Sequence, residues 1–236
     1  MISVVIPVYN EEKLIGSCLE SLVRQKGAPK FEVIIVNNNS TDETVKLTKI
    51  FKKKLNLKII LEKHQGRGAA RATGFKSAQG EIILSTDADT TAPDNWIVKI
   101  YNYLKGDDLV AITGNNYITD CPKVSRTIYN TFFPPFMKIY GLVFGNVGLN
   151  GFNFGIKKAV YARSGGFNRN LDSQEDWDLA FRVANFGKIK FASDLTVYSS
   201  GRRYRNGLII GLFQPLRNFI FFFLLGKKQI FLENIR

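Results

Sequence analysis

Histidine occurs once in this 236-residue chain and cysteine only twice. The lone histidine, His64, leaves a histidine-based zinc site without a second ring ligand, so it reads as a structural or nucleotide-edge residue. Cys18 and Cys121 cannot build a disulfide framework and fit a reducing, cytoplasmic setting. Cys18 falls on the apolar side of a helical pattern and is expected in the core. No uninterrupted run of about 20 apolar residues occurs, so no membrane-spanning helix is expected. Met1 leads directly into Ile2-Ser3-Val4-Val5-Ile6-Pro7, with no basic stretch and no small-residue cleavage site, so no secretory leader is expected. A P-loop is missing, and no glycine-rich turn follows the first apolar run. Acids are outnumbered: 20 Asp and Glu face 33 Lys and Arg, for a net charge of +13. That balance favours an anionic partner, whether nucleotide, nucleic acid or anionic membrane surface. What is abundant is apolar: 45% hydrophobic residues, with 19 Phe, exclude a disordered chain and can fill a large core.

The first half alternates two periodicities. Residues 2–7, 31–36, 58–61 and 81–84 are short runs rich in Val and Ile that predict strands. Between them, Leu14, Ile15, Cys18, Leu19, Leu22 and Val23 recur at helical spacing. Asn39-Ser40-Thr41-Asp42-Glu43 opens a helix expected to reach about Leu55, and residues 67–79 predict a helix of small residues closed by Gly80. This order demands a mostly parallel sheet with right-handed crossovers and helices on both faces. Ligands of such sheets bind at the carboxyl ends of the strands. The loops 7–12, 37–42, 63–71 and 87–91 all fall there. The second half is less regular. Strands are expected at 109–118, 151–156, 188–191 and 195–199, and a helix from Trp177 to Phe186. Residues 123–149 are apolar and aromatic but broken by Pro134-Pro135 and several glycines. With no repeat or linker, residues 1–200 read as one domain, divided at residue 92, followed by a basic amphipathic extension over 201–236.

Three clusters can carry chemistry. Asp87-Ala88-Asp89 follows the fourth strand; in an extended segment both carboxylates would face one target, and such a pair suits Mg²⁺ or Mn²⁺. Gly66-Arg67-Gly68-Ala69-Ala70-Arg71 lacks the third glycine of a dinucleotide fingerprint. Its small residues fit either a helix start close to phosphate or ordinary helix–sheet packing. Asp172-Ser173-Gln174-Glu175-Asp176-Trp177-Asp178 concentrates acids either as a solvated helix cap or as the source of a general base. At the end of the chain, Leu208, Ile209, Leu212, Phe213, Leu216, Phe219, Ile220, Phe223 and Leu224 recur at helical spacing. They are flanked by Arg202, Arg203, Arg205, Lys227 and Lys228. That helix would lie in a membrane interface, pack on the core or make a dimer contact. Arg202 and Arg203 are equally suited to a donor diphosphate or an acceptor phosphate.

In order along residues 2 to about 200, these pieces resemble the inverting family-2 glycosyltransferases with the GT-A fold. The matching segments are Val4–Glu11, Val36–Asp42, Gly66–Gly74, Asp87–Asp89, Gly165-Gly166-Phe167 and Glu175–Leu179. The resemblance implies a nucleotide-binding half (1–92) and an acceptor-binding half (93–200). It implies that Pro7, Tyr9 and Glu11 line the nucleoside pocket, that Asn38 and Arg71 approach the base, and that Arg67 lies by the nucleotide. Asp87 would meet ribose or metal, and Asp89 would hold the Mn²⁺ or Mg²⁺ that bridges the diphosphate, with Thr91 or water completing the shell. Asp176, beside Glu175, would be the catalytic base. Gly151, Asn153 and Trp177 would border the donor sugar and acceptor. The implied donor is a UDP- or GDP-sugar, and the acceptor a glycan or lipid-linked hydroxyl. Two departures stand out: Asn37-Asn38 replaces the usual Asp-Asp or Asp-Asn, and Ser199–Arg203 lacks the histidine that some relatives place near the metal. Other readings are transfer to a polyprenyl phosphate, which needs no base, nucleotidyl transfer, and a non-catalytic nucleic-acid module. Acids punctuate the best motifs, so nucleic acid is not the expected partner.

Overall fold

The computed structural model describes residues 1–144 and 147–219. Four strands with helices between them build the first half: β1 (Ile2–Val8), α1 (Ile15–Val23), β2 (Phe31–Asn37), α2 (Thr44–Ile50), β3 (Leu57–Leu61), α3 (Arg67–Ser77) and β4 (Ile82–Ser85). Then follow β5 (Thr90–Thr91), α4 (Trp96–Leu104), β6 (Leu109–Ile118), α5 (Lys123–Phe144), β7 (Phe154–Lys157), α6 (Lys158–Arg163), α7 (Glu175–Val183), β8 (Lys188–Ser199) and α8 (Leu208–Phe219). The strands form one eight-stranded sheet in the order β3-β2-β1-β4-β7-β6-β8-β5. β3, β2, β1 and β4 are parallel, as the alternating pattern requires. β7 runs antiparallel to both β4 and β6, and β8 returns parallel to β6. A single mostly parallel sheet therefore runs through both halves.

The period of two places alternate side chains on opposite faces. Ile2, Val4, Ile6, Val33, Ile35, Ile82 and Leu84 pack with α1 and α4 on one face. Val5, Ile34, Val36 and Ile83 pack with α3, α6 and α7 on the other. Gly74 lets α3 lie directly on the sheet, because a Cβ there would stand 2.8 Å from Val36 Cγ2. Cys18 is buried in the first core, as its helical position predicts.

Several elements depart from expectation. α4 was not anticipated, although Trp96, Ile97, Ile100 and Leu104 recur at helical spacing and are buried. α5 continues through Pro134-Pro135. Ser125, Tyr129, Phe133 and Met137 point inward, Asn130 bonds to Ile118 and Tyr140 packs on Trp177, while much of the rest of the helix is exposed to solvent. The two short strands near 188–191 and 195–199 are one strand. Its register against β6 jumps between Gly114 and Asn115, a bulge that leaves residues 193–195 unpaired. α7 starts at Glu175 rather than Trp177, which places both acids in its first turn. α3 ends at Ser77, ahead of Gly80. Ile220, Phe223, Leu224, Lys227 and Lys228 of the terminal pattern lie outside the described residues.

Candidate functional site

The loops after β1, β2, β3 and β4 meet α7 and the segment after β8 on one edge of the sheet. Long-range contacts tie them together. Asn10 Oδ1 accepts from the Thr41 amide at 2.8 Å, and the Glu11 amide donates to Thr44 Oγ1 at 2.7 Å. Among the described residues, three that are not glycine have a left-handed backbone: Asn10, Asn39 and Gln174. All three are in this loop layer, the last directly before Glu175. Asparagine tolerates that conformation, whereas glutamine adopts it only where the surroundings force it.

Arg71 is the hinge of the site. It is 3% exposed and reaches from α3 to Asp87 Oδ1 at 2.6 Å and to Glu175 Oε1. The backbone of Gly151 lies against this guanidinium, where a Cβ would stand 2.7 Å from Cζ. The Gly151 amide donates to Asp176 Oδ2 at 2.7 Å, and its carbonyl accepts from Ser85 Oγ at 2.8 Å. Asp176 Oδ1 accepts from the Trp177 amide at 2.9 Å. Burial raises both carboxyls of the pair, Glu175 to about 7 against the pull of Arg71. Arg71 Nε and Thr86 Oγ1 are buried without a hydrogen-bond partner. Both adjoin Asp87, one in space and one in sequence. Packed interiors seldom leave such groups unpaired.

The second cation is Arg202, in a turn of 3₁₀ helix after β8. It clasps Glu11 through two nitrogens, at 2.9 and 2.6 Å, and stands 3.0 Å from Asp89 Oδ2. Burial and the neighbouring Asp87 carboxylate push Asp89 up to about 6. Burial would lower the Arg202 guanidinium, but Glu11 and Asp89 hold it above its usual range. Asp120 anchors this segment, accepting from Gly201 N and from Ser200 Oγ at 2.8 Å, with Arg205 3.2 Å away. Asp120 and this anchoring were not anticipated, because the partners are about eighty residues apart in sequence.

Several expectations need correction. Asp87 and Asp89 do not sit in an extended segment: β4 ends at Ser85, and the Thr90 amide donates back to Asp87 O. The turn sends Asp87 toward Arg71 and Asp89 toward Arg202. The start of α3 is not open to phosphate. The Gly68 amide donates to Leu171 O at 3.0 Å, and a Cβ on Gly66 or Gly68 would strike residues 168–172. The small residues there serve loop packing, and Arg67 alone remains exposed. Asn153, expected beside donor sugar and acceptor, has no exposed surface toward the site. It is wholly buried, donates to Asn115 O and Leu195 O, and accepts from the Trp96 indole at 2.8 Å. It staples the β6–β8 bulge to α4. Asn38 uses both amide hydrogens on Glu62 O and His64 O and accepts from the Gly66 amide, so it shapes the 62–66 loop. Trp177 packs edge-on against Tyr140 of α5, 5.1 Å away, and over Gly148. Pro7 and Tyr9 lie half-buried at the β1 end. Arg203 is half-buried beside Arg202; burial and nearby Arg67 lower its guanidinium.

Among the described residues, no three His, Cys, Asp or Glu side chains form a metal cage. Two aspartates completed by phosphate and water oxygens form the donor set that Mg²⁺ or Mn²⁺ uses with nucleotides. Asp87 and Asp89 have that chemistry, but each carboxylate is paired with its own arginine, Asp87 with Arg71 and Asp89 with Arg202.

Comparison with known proteins gives the same outline. A poly(ribitol-phosphate) beta-glucosyltransferase of Bacillus spizizenii is 40% identical over 109 residues, 44% of this chain and 17% of that protein. A probable glycosyltransferase of Bacillus subtilis, YdaM, is 28% identical over 198 residues, 79% of this chain and 47% of that one. The chain thus spans less than half the length of these curated relatives. The crystal structure of Staphylococcus aureus TarS 1–349 in complex with UDP superposes with a TM-score of 0.67 at 23% identity, over 84% of this chain and 60% of that one. The mannosyltransferase PcManGT of Pyrobaculum calidifontis, in complex with GDP-Man and Mn²⁺, gives 0.66 at 23% identity, over 92% and 64%. The sheet order and these superpositions define a GT-A fold. The model for glycosyl transferase family 2 matches residues 3–165, and the chain belongs to that family.

Proposed function

We propose that the chain transfers a sugar, with inversion, from a nucleotide-diphosphate sugar to a hydroxyl acceptor, using a divalent cation and Asp176 as general base. The observation that carries this reading is the arrangement around Arg71. One buried guanidinium links Asp87 on the nucleotide side to Glu175, while the neighbouring Asp176 stays half-buried and hydrogen-bonded to Gly151. Glu175 is committed to Arg71 and orients it. Burial raises the proton affinity of Asp176 against the pull of Arg71 and of two backbone donors, which fix its orientation; the upward direction suits a general base.

Residues 1–92 would hold the nucleotide, with Pro7, Tyr9 and Glu11 as the nucleoside wall. Asp89, with Asp87, would hold Mn²⁺ or Mg²⁺, whose charge offsets that of the leaving diphosphate. Arg202 and Arg203 would then turn from carboxylates to diphosphate oxygens, with exposed Arg67 beside them. Asp176 takes the proton of the acceptor hydroxyl as its oxygen attacks the anomeric carbon opposite the leaving group, and residues 93–200 shape that acceptor side. Neighbours that bind UDP, UDP-GlcNAc and GDP-Man support a nucleotide-sugar donor. Relatives named as poly(ribitol-phosphate) glycosyltransferases support a glycan-type hydroxyl acceptor.

The test is Asp176→Asn. General-base removal should slow transfer about 10²- to 10⁴-fold while nucleotide binding persists. Transfer at the wild-type rate would sink the base assignment and favour an already anionic acceptor such as a polyprenyl phosphate.

A further inference from the structure

α5 lies on the surface along one narrow line of contact. Ser125, Tyr129, Phe133 and Met137 face the protein. The flank about 100° round the helix carries Val124, Ile128, Phe132, Phe136, Ile139 and Val143, spaced by three or four residues into one stripe. All six are exposed, Phe132 at 65% and Phe136 at 56%, with Leu142 at 83% beside them. α8 repeats the pattern: Ile209 is 84% and Phe213 64% exposed. The two helices meet through Tyr204, whose ring lies 5.2 Å from that of Tyr129 on α5 and abuts Gly211 on α8. Monomeric proteins rarely leave so continuous an apolar surface open to water.

The charge pattern selects the occupant. No Asp or Glu occurs between Asp120 and Asp172, or between Asp194 and Glu233. Both stripes fall inside these acid-free stretches. The exposed charges beside them are Lys123, Arg126 and Lys138 on α5 and Arg205 ahead of α8, all basic. Asp120 pairs with Arg205 at one end of this border; along the stripe itself the exposed charges are cations, which fits acyl chains beneath a layer of anionic headgroups. Among the described residues no helix is long and apolar enough to cross a membrane.

We propose that the exposed faces of α5 and α8 together dock the chain onto an anionic phospholipid surface. The proposal stands independently of the transfer reaction, yet it would set the site at headgroup level. The inner side of α5 touches Trp177 through Tyr140 and Phe152 through Phe133, next to Asp176 and Gly151.

The test compares the full chain with Phe132→Asp/Phe136→Asp, both at exposed positions, in flotation with vesicles. One set is phosphatidylcholine alone; the other contains added phosphatidylglycerol. The wild type should float with the phosphatidylglycerol vesicles, less so at high salt, and the double variant should lose about tenfold or more in partitioning. Phe136→Trp supplies a readout that introduces no charge: brominated lipid should quench the introduced indole. No flotation with anionic vesicles, equal flotation of the double variant, or flotation without quenching would each overturn the proposal. So would a wild-type dimer in solution that the double variant splits, since the face would then be an interface between copies.

Discussion

Arg202 Nη2 stands 3.0 Å from Asp89 Oδ2, so a side-chain cation occupies the position where a divalent ion would be bound. Glu11 holds it there through two hydrogen bonds. Under the proposed function, metal and guanidinium compete for one carboxylate. A partly exposed ion pair of this kind contributes about 1 kcal/mol, which is about fivefold in affinity. Arg202→Ala should bind Mn²⁺ about fivefold more tightly than wild type in the absence of nucleotide, measured by calorimetry or by Mn²⁺ paramagnetic resonance. The same variant should bind nucleoside diphosphate more weakly, because the cation freed by metal is lost. Its melting temperature should also fall, since buried Glu11 loses its partner.

The pH dependence of stability follows from the raised carboxyls. Asp89 near 6 and Glu175 near 7 bind protons more tightly folded than unfolded. Their stabilising contribution is complete below the ordinary carboxylate range and is lost as pH rises through about 6 and then about 7. Glu32, Asp42, Glu62 and Asp120 shift the other way, their hydrogen bonds and nearby cations outweighing burial, and they act only in more acidic solution. The ligand-free chain should therefore melt at a higher temperature at pH 6 than at pH 8. Glu175→Gln should flatten most of that difference in a thermal-shift series.

Two glycines separate folding from chemistry. Gly74→Ala drives a Cβ into Val5 and Val36 at the α3–sheet contact. It should cost about 1–3 kcal/mol of stability and leave kcat/KM of the folded enzyme unchanged. Gly151→Ala pushes on Arg71 instead and breaks its alignment with Asp87 and Glu175. Below its melting temperature it should lower kcat/KM by about tenfold or more.

How much of this was legible in the sequence depends on range. β1 to β4 were readable because each is a Val- and Ile-rich run bounded by polar turns, and their parallel order follows from the helices between them. The carboxylates of the site were readable because each sits in a short motif at a strand end or helix start. α4 was missed although its apolar spacing was present. α5 was missed because Pro134-Pro135 normally ends a helix, and here tertiary contacts along one side override that preference. The pairing of Arg202 with Glu11 spans 191 residues, and that of Arg71 with Glu175 spans 104. No local pattern encodes such partners. The bonds of Asn153 were not legible for the same reason: they go to Trp96, Asn115 and Leu195, distant in sequence and joined by the folded sheet.

The most direct measurement is calorimetric titration of UDP and GDP into the wild-type chain and Asp89→Asn, each in Mn²⁺ and in chelator. Metal-bridged binding predicts at least one nucleotide held about tenfold or more tightly with Mn²⁺ than with chelator, and loss of that gain in Asp89→Asn. Equal affinity in both conditions, or no binding of either nucleotide, would contradict it.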